Sequence, residues 1–264
     1  MISNLAYVHP EAKIGDNVTI EPFAMIYKDV VVGDGCWIGP HAVLMDGTRV
    51  GKRCSIFPGA VIAAIPQDLK YVGEYSTVEI GDNTTLRECV TVNRGTIAKD
   101  KTILGNNCLV MAYAHIAHDC IIGNNVIIVN SVLLAGEVEV GDYAIISGAT
   151  AVRQFVRIGA HTYIGGYSQV RKDVPPFCRA AREPLSYVGI NSVGLRRRKF
   201  TNESIYSIQD MYRHIFQSDM NISTALTYIE ENIPHSKERD DVVTFVRSSK
   251  LGIMRGYSGV SDEE

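Results

Sequence analysis

Residues 104–128 read "LGNNCLVMAYAHIAHDCIIGNNVII", and every sixth position is aliphatic: Leu104, Val110, Ile116, Ile122 and Ile128. The register continues outward through Leu134, Val140, Ile146, Val152, Ile158, Ile164 and Val170. Towards the N-terminus it passes through Ile80, Leu86 and Val92, and then runs unbroken from Val8 to Ile62. Apolar residues make up 46% of the chain, so runs of this length in one register do not arise by chance. Helices repeat every 3.6 residues and strands every 2, so a strict six requires a short strand and a tight corner in each unit.

The place four residues after each aliphatic is usually small, as at Ala24, Cys36, Ala42, Cys54, Cys108, Ala114 and Cys120. A period of 18 lies over the six: Pro22, Pro40 and Pro58, and likewise Gly105, Gly123, Gly141 and Gly159. Three hexads per turn predict a triangular parallel β-helix whose turns rise ~4.8 Å, with proline and glycine at corners rather than within strands. Two insertions, 63–79 and 93–102, break the repeat. Loops that leave a regular scaffold either carry binding residues or are merely tolerated, and the sequence leaves both open.

Pro175 and Pro176 are expected to end the coil, which gives a scaffold over 1–176. Residues 177–264 then form a linker and a small helical domain. There Ile205, Ile208, Tyr212 and Ile215 share one helical face behind a Thr201 cap, and amphipathic stretches follow at 222–232 and 237–248.

Composition narrows the partners. A net charge of −3 argues against a nucleic-acid surface, and no run of ~18 apolar residues is present to span a membrane. The first residues lack a secretory layout, so a cytoplasmic protein is expected. The six cysteines contain no CxxC pair, and four of them occupy small inward positions, as reduced structural thiols would.

The register also places the histidines of "AHIAHDC". His118 lies two residues after Ile116, at the third place of its hexad and pointing outward, stacked with Gly136 one turn on and Gln154 two turns on. Three readings remain open for His115 and His118: metal ligands, surface residues, or a general acid–base site. A metal would need further ligands, and no cysteine or third histidine shares the column. A glycine beside an imidazole leaves a notch, and its N–H is suited to a developing oxyanion.

The segments "AYAHIAHDCIIGNNVII", "IPQDLKYVGE", "VTVNRGT", "GATAVRQFVRIGAH" and "NSVGLRRRKF" together resemble the UDP-N-acetylglucosamine O-acyltransferase family over essentially the whole chain. That resemblance implies a left-handed coil, a homotrimer with active sites between subunits, and the first step of lipid A biosynthesis. A (3R)-hydroxyacyl chain would pass from the phosphopantetheine of acyl carrier protein to the 3-hydroxyl of UDP-N-acetylglucosamine, with no metal or other cofactor.

Residue by residue, it implies His118 as general base, Asp119 as its orienting partner and Gly136 as oxyanion donor. Asp68 and Lys70 would contact the sugar nucleotide from a neighbouring subunit. His115 and Gln154 would line the groove, and Asn191, Arg197 and Arg198 would meet the uridine and phosphates. Gly148 and Gly166 would leave room for a longer acyl chain. Glu137 departs from the family pattern, which has histidine there, and so the 3-amino analogue is kept as an alternative acceptor. A related N-acyltransferase and a non-enzymatic β-helical assembly are the competing readings.

Overall fold

A computed structural model of the chain describes residues 1–256; the last eight residues of the expected helical domain lie outside the described part. Among the described residues the chain winds as a left-handed parallel β-helix, with three sheets of nine, eight and eleven strands. Strands 18 residues apart pair in register, for example His115 with Leu133 and Leu133 with Ala151 on the first sheet. The six-residue series points inward: Ile26, Ile38, Leu44, Ile56, Ile62, Ile116 and Ile128 are all fully buried. Each such side chain contributes about 1.5–3 kcal/mol by leaving water, which makes the interior column the main source of stability.

The corners have a backbone requirement that the hydropathy pattern does not display. In nearly every hexad the residue three places after the aliphatic one is left-handed: Asn107, Tyr113, Asp119, Asn125, Ser131, Glu137, Tyr143, Ala149, Phe155, His161 and Tyr167 all have φ between 55° and 68°. This region costs a non-glycine residue roughly 1–2 kcal/mol, which the packed coil offsets. Another corner excludes side chains outright. A Cβ on Gly105 would sit 2.5 Å from the Gly123 carbonyl oxygen, which explains glycine at intervals of 18.

The insertions lengthen single turns, so that Val61 pairs with Thr91 and Thr91 with His115. The third sheet runs past the expected stop. Cys178–Ala181 still pairs in parallel with Tyr163–Ile164, and Ser186–Ile190 folds back antiparallel on it. The two prolines shorten this last turn without ending it, and the segment expected as linker is a hairpin.

Four helices follow: α1 (Ser192–Arg197), α2 (Asn202–Phe216), α3 (Ile222–Asn232) and α4 (Lys237–Arg247). Thr201, Asn221 and Ser236 cap α2, α3 and α4 by accepting from backbone N–H groups, as these residue types do. Helix α2 docks on the coil through buried Tyr212, whose hydroxyl donates to the Pro176 carbonyl at 2.6 Å. No helix among the described residues is long and apolar enough to cross a membrane.

Candidate active site

The corner between the first and second sheets carries His118, and its neighbour Asp119 is one of the left-handed residues (φ 61°). Successive strand side chains point apart. The turn at Asp119 instead brings its carboxylate round to the imidazole, with Asp119 Oδ2 2.7 Å from His118 Nδ1. Asp119 is fully buried and accepts three further hydrogen bonds. Oδ1 receives the backbone N–H groups of Thr96 (2.9 Å) and Lys99 (3.2 Å), and Oδ2 receives the Thr96 hydroxyl (2.7 Å). A carboxylate so surrounded by donors acts as acceptor only, so in the neutral ring the proton sits on Nδ1 and Nε2 carries the lone pair.

Nε2 points at Gly136 on the next turn, where a Cβ would lie 2.5 Å from both Nε2 and Cε1. Ala135 N donates to the Val152 carbonyl and Glu137 N to the His118 carbonyl. Among the described residues nothing accepts from the Gly136 N–H between them. A lone pair able to take a proton and a free N–H able to meet an oxyanion therefore share one notch.

The first insertion closes the other side of that notch. Asp68 Oδ1 accepts from the Lys70 backbone N–H at 2.9 Å, while Oδ2 stands 3.9 Å from His118 Nε2. This corrects the expectation that Asp68 arrives from a neighbouring subunit: the loop folds back over its own chain's histidine. The Lys70 side chain is exposed. His115 lies one strand position before Ile116, with Nδ1 2.7 Å from the Thr91 hydroxyl, and burial lowers its pKa from the ordinary histidine value. Gln154 is half-buried in the same column as His118 and Gly136.

The remaining expected residues lie elsewhere. Gly148 and Gly166 sit at the corner between the third and first sheets, so the face carrying His115 and Leu133 separates them from His118. Asn191 is buried, caps α1 by accepting from Gly194 N, and donates to the His161 carbonyl at 2.8 Å. Arg198 donates to the Tyr143 carbonyl at 3.0 Å and lies over the Tyr143 ring, whereas Arg197 is exposed. Among the described residues no three of His, Cys, Asp and Glu converge as a metal-binding group. All six cysteines are free, and five are buried.

Composition and periodicity missed Thr96. Nothing in the second insertion's hydropathy marks a threonine as the main support of a carboxylate 23 residues later.

A triangular parallel coil with a histidine–carboxylate pair at an outward corner defines a hexapeptide-repeat transferase. A profile described as bacterial transferase hexapeptide (six repeats) matches residues 101–136. One described as Udp N-acetylglucosamine O-acyltransferase; Domain 2 matches 173–254, and one described as GMPPB C-terminal domain matches 2–106. The acyl-[acyl-carrier-protein]–UDP-N-acetylglucosamine O-acyltransferase of Sulfurihydrogenibium sp. is 57% identical, over 98% of this chain and 97% of that protein. The protein of that name from Chlorobium phaeobacteroides is 61% identical over 94% of each. The crystal structure of a UDP-N-acetylglucosamine acyltransferase from Bacteroides fragilis superposes with a TM-score of 0.95 at 53% identity, covering 97% of this chain and 100% of that one. The corresponding Francisella novicida structure gives 0.94 at 39%, covering 97% and 94%. The chain belongs to the UDP-N-acetylglucosamine O-acyltransferase family.

Proposed function

We propose that the protein transfers a (3R)-hydroxyacyl chain from acyl carrier protein to the 3-hydroxyl of UDP-N-acetylglucosamine, the first step of lipid A biosynthesis. One observation carries the mechanism: His118 Nε2 abuts Gly136, whose backbone N–H has no acceptor among the described residues. His118 Nε2 takes the hydroxyl proton as that oxygen attacks the thioester carbonyl, and the new C–O bond gives a tetrahedral oxyanion. The Gly136 N–H donates to that oxyanion. Collapse breaks the C–S bond, and the departing phosphopantetheine thiolate recovers the proton from His118. Asp119 holds the ring's tautomer and stabilises the transient imidazolium. An activated alcohol and a thioester complete the exchange without a cofactor.

Asp68, with one oxygen 3.9 Å from Nε2, is suited to accept from a second sugar hydroxyl while the reacting one bonds His118. His115 and Gln154 extend the same groove. Exposed Arg197 and coil-bound Arg198 are placed to meet phosphates, and Asn191 keeps one N–H and one lone pair for a ligand while it seats α1. Lys70, exposed beside Asp68, adds positive charge at the entrance. On this reading residues 1–176 are the catalytic scaffold, in a cytoplasmic enzyme.

The outer surface is compatible with the homotrimer that the family resemblance implies. The third sheet's outward row of Leu109, Ile127, Ile145 and Tyr163 is apolar over four successive turns, a stripe suited to a second copy. Gly148 and Gly166 lie across a face from His118, so on this reading they would serve the histidine of a neighbouring copy.

The deciding experiment is acyl transfer from hydroxyacyl-loaded carrier protein to UDP-N-acetylglucosamine, comparing wild type with His118→Ala. Turnover by wild type alone supports the reading, and equal turnover by both refutes the base assignment. Wild-type turnover restricted to the 3-amino acceptor changes the product from ester to amide.

A further inference from the structure

We propose that Thr96, on the second insertion, is a positioning residue for the histidine–aspartate pair, and that this insertion exists to clamp Asp119. The inference rests on the acyl-transfer reading above. Thr96 is buried and grips both carboxylate oxygens, with its backbone N–H on Oδ1 and its hydroxyl on Oδ2. The direction of the hydroxyl bond is fixed. An ionised carboxylate has no proton to give, so the Thr96 hydroxyl donates to Asp119 Oδ2 while its oxygen accepts from Ala98 N at 3.2 Å. Oδ2 therefore divides its charge between the Thr96 hydroxyl and the His118 Nδ1–H, and Thr96 sets both the angle and the strength of the carboxylate's hold on the ring.

The clamp is continuous with the loop that carries Asp68. Ser76 Oγ donates to the Gly95 carbonyl at 2.6 Å, Ile97 N donates to Glu74 Oε1 at 3.1 Å, and Arg94 Nη2 donates to the Tyr71 hydroxyl at 2.7 Å. The chain outside the coil thus forms one unit joining Asp68, on the Nε2 side of His118, to Asp119 on its Nδ1 side. The other ionisable groups around the pair are His115 on the first sheet, Glu137 beside Gly136, and Lys99, which is ion-paired with Glu139 at 3.0 Å.

The test compares Thr96→Val, which keeps shape and backbone N–H but deletes the hydroxyl, with Thr96→Ser, which restores it. Three readouts are taken: kcat and KM, the pH profile of kcat/KM, and the downfield proton resonance of His118 Nδ1–H, assigned by its loss in His118→Ala. Thr96→Val is expected to lower kcat about tenfold with KM for the sugar nucleotide little changed, the size associated with one hydrogen bond to a charged group. The acid limb of its profile moves to higher pH, because an unshared Oδ2 favours the imidazolium, and the resonance shifts; Thr96→Ser returns all three. Wild-type behaviour of Thr96→Val, equal damage by both variants, or a loss of thermal stability with an unmoved resonance and profile overturns the assignment. If wild type fails to acylate the sugar nucleotide, the functional reading falls, while the resonance and its dependence on the Thr96 hydroxyl still decide the clamp.

Discussion

His118 and Asp119 are consecutive in the chain, yet their side chains meet at 2.7 Å because Asp119 occupies a left-handed corner. Asp119→Asn keeps the shape but brings an NH2 group where several donors already converge, and it reverses the tautomer preference of the ring. We expect kcat to fall up to about 10,000-fold, the scale for losing the correct tautomer in a hydrogen-bonded histidine site, and the melt to drop, because the buried donors lose an acceptor. Steady-state kinetics and a thermal melt check this. His118→Ala is expected to lose about 100- to 10,000-fold in kcat, the usual contribution of a general base.

Gly136→Ala tests the notch directly. The added methyl would meet Nε2 and Cε1 at 2.5 Å, and the ring's bond to Asp119 leaves it little room to retreat. The expected result is loss of turnover comparable with His118→Ala, together with a lowered melting temperature, since the ring or the corner must shift to admit the methyl. Wild-type kcat in this variant argues against both the base geometry and the oxyanion role of Gly136.

The proposed acyl-chain role of Gly148 and Gly166 is tested through chain length. A Cβ at Gly166 would meet the Gly148 carbonyl oxygen at 3.2 Å, and one at Gly148 the Asn130 carbonyl oxygen at 3.2 Å, tight contacts but far looser than the 2.5 Å approach at Gly105. Gly166→Met is expected to shift preference towards shorter hydroxyacyl chains, measured with C10, C12, C14 and C16 carrier-protein donors. A wild-type enzyme that already prefers the shortest donor contradicts the roomy pocket.

Asn191 and Arg197 separate stability from binding. Asn191→Ala removes a helix cap and a buried bond to the His161 carbonyl, and costs on the order of 1–2 kcal/mol of stability. Arg197 is exposed, and Arg197→Ala is expected to raise the KM for the sugar nucleotide severalfold without moving the melt.

His161 supplies a pH dependence of stability. It is stacked between Tyr143 and Phe177, and burial, helped by the charges of Arg198 and Lys237, lowers its pKa to about 4. The unfolded chain holds its proton near pH 6.5, so below that value unfolding takes up a proton that the folded state refuses. His161 therefore favours the fold fully above about pH 6.5 and loses that advantage as pH falls towards 4. Melting temperatures at pH 7, 6 and 5 should fall for wild type and fall less for His161→Phe.

Much of this was legible in the chain. The six fixed the coil, the inward column and the outward place of His118, and the 18 put Gly136 beneath it, because covalent spacing becomes spatial stacking once turns have a constant length. The helices α2, α3 and α4 fell where their periodicity put them, and the Thr201 cap stands before α2. The hairpin after Pro176 was not legible, because proline forbids one backbone donor and not the return of the strand a residue later.

The amino-acid sequence by itself determined the architecture and the column of residues from which chemistry is drawn. Only the tertiary structure decided that Asp119 turns to His118, that Thr96 reaches it from 23 residues away, and that Asp68 covers its own chain's histidine across 50. The reason is physical: a repeat fixes position by counting, whereas a loop outside the repeat is placed by hydrogen bonds between residues distant in sequence, and no local pattern encodes where those meet.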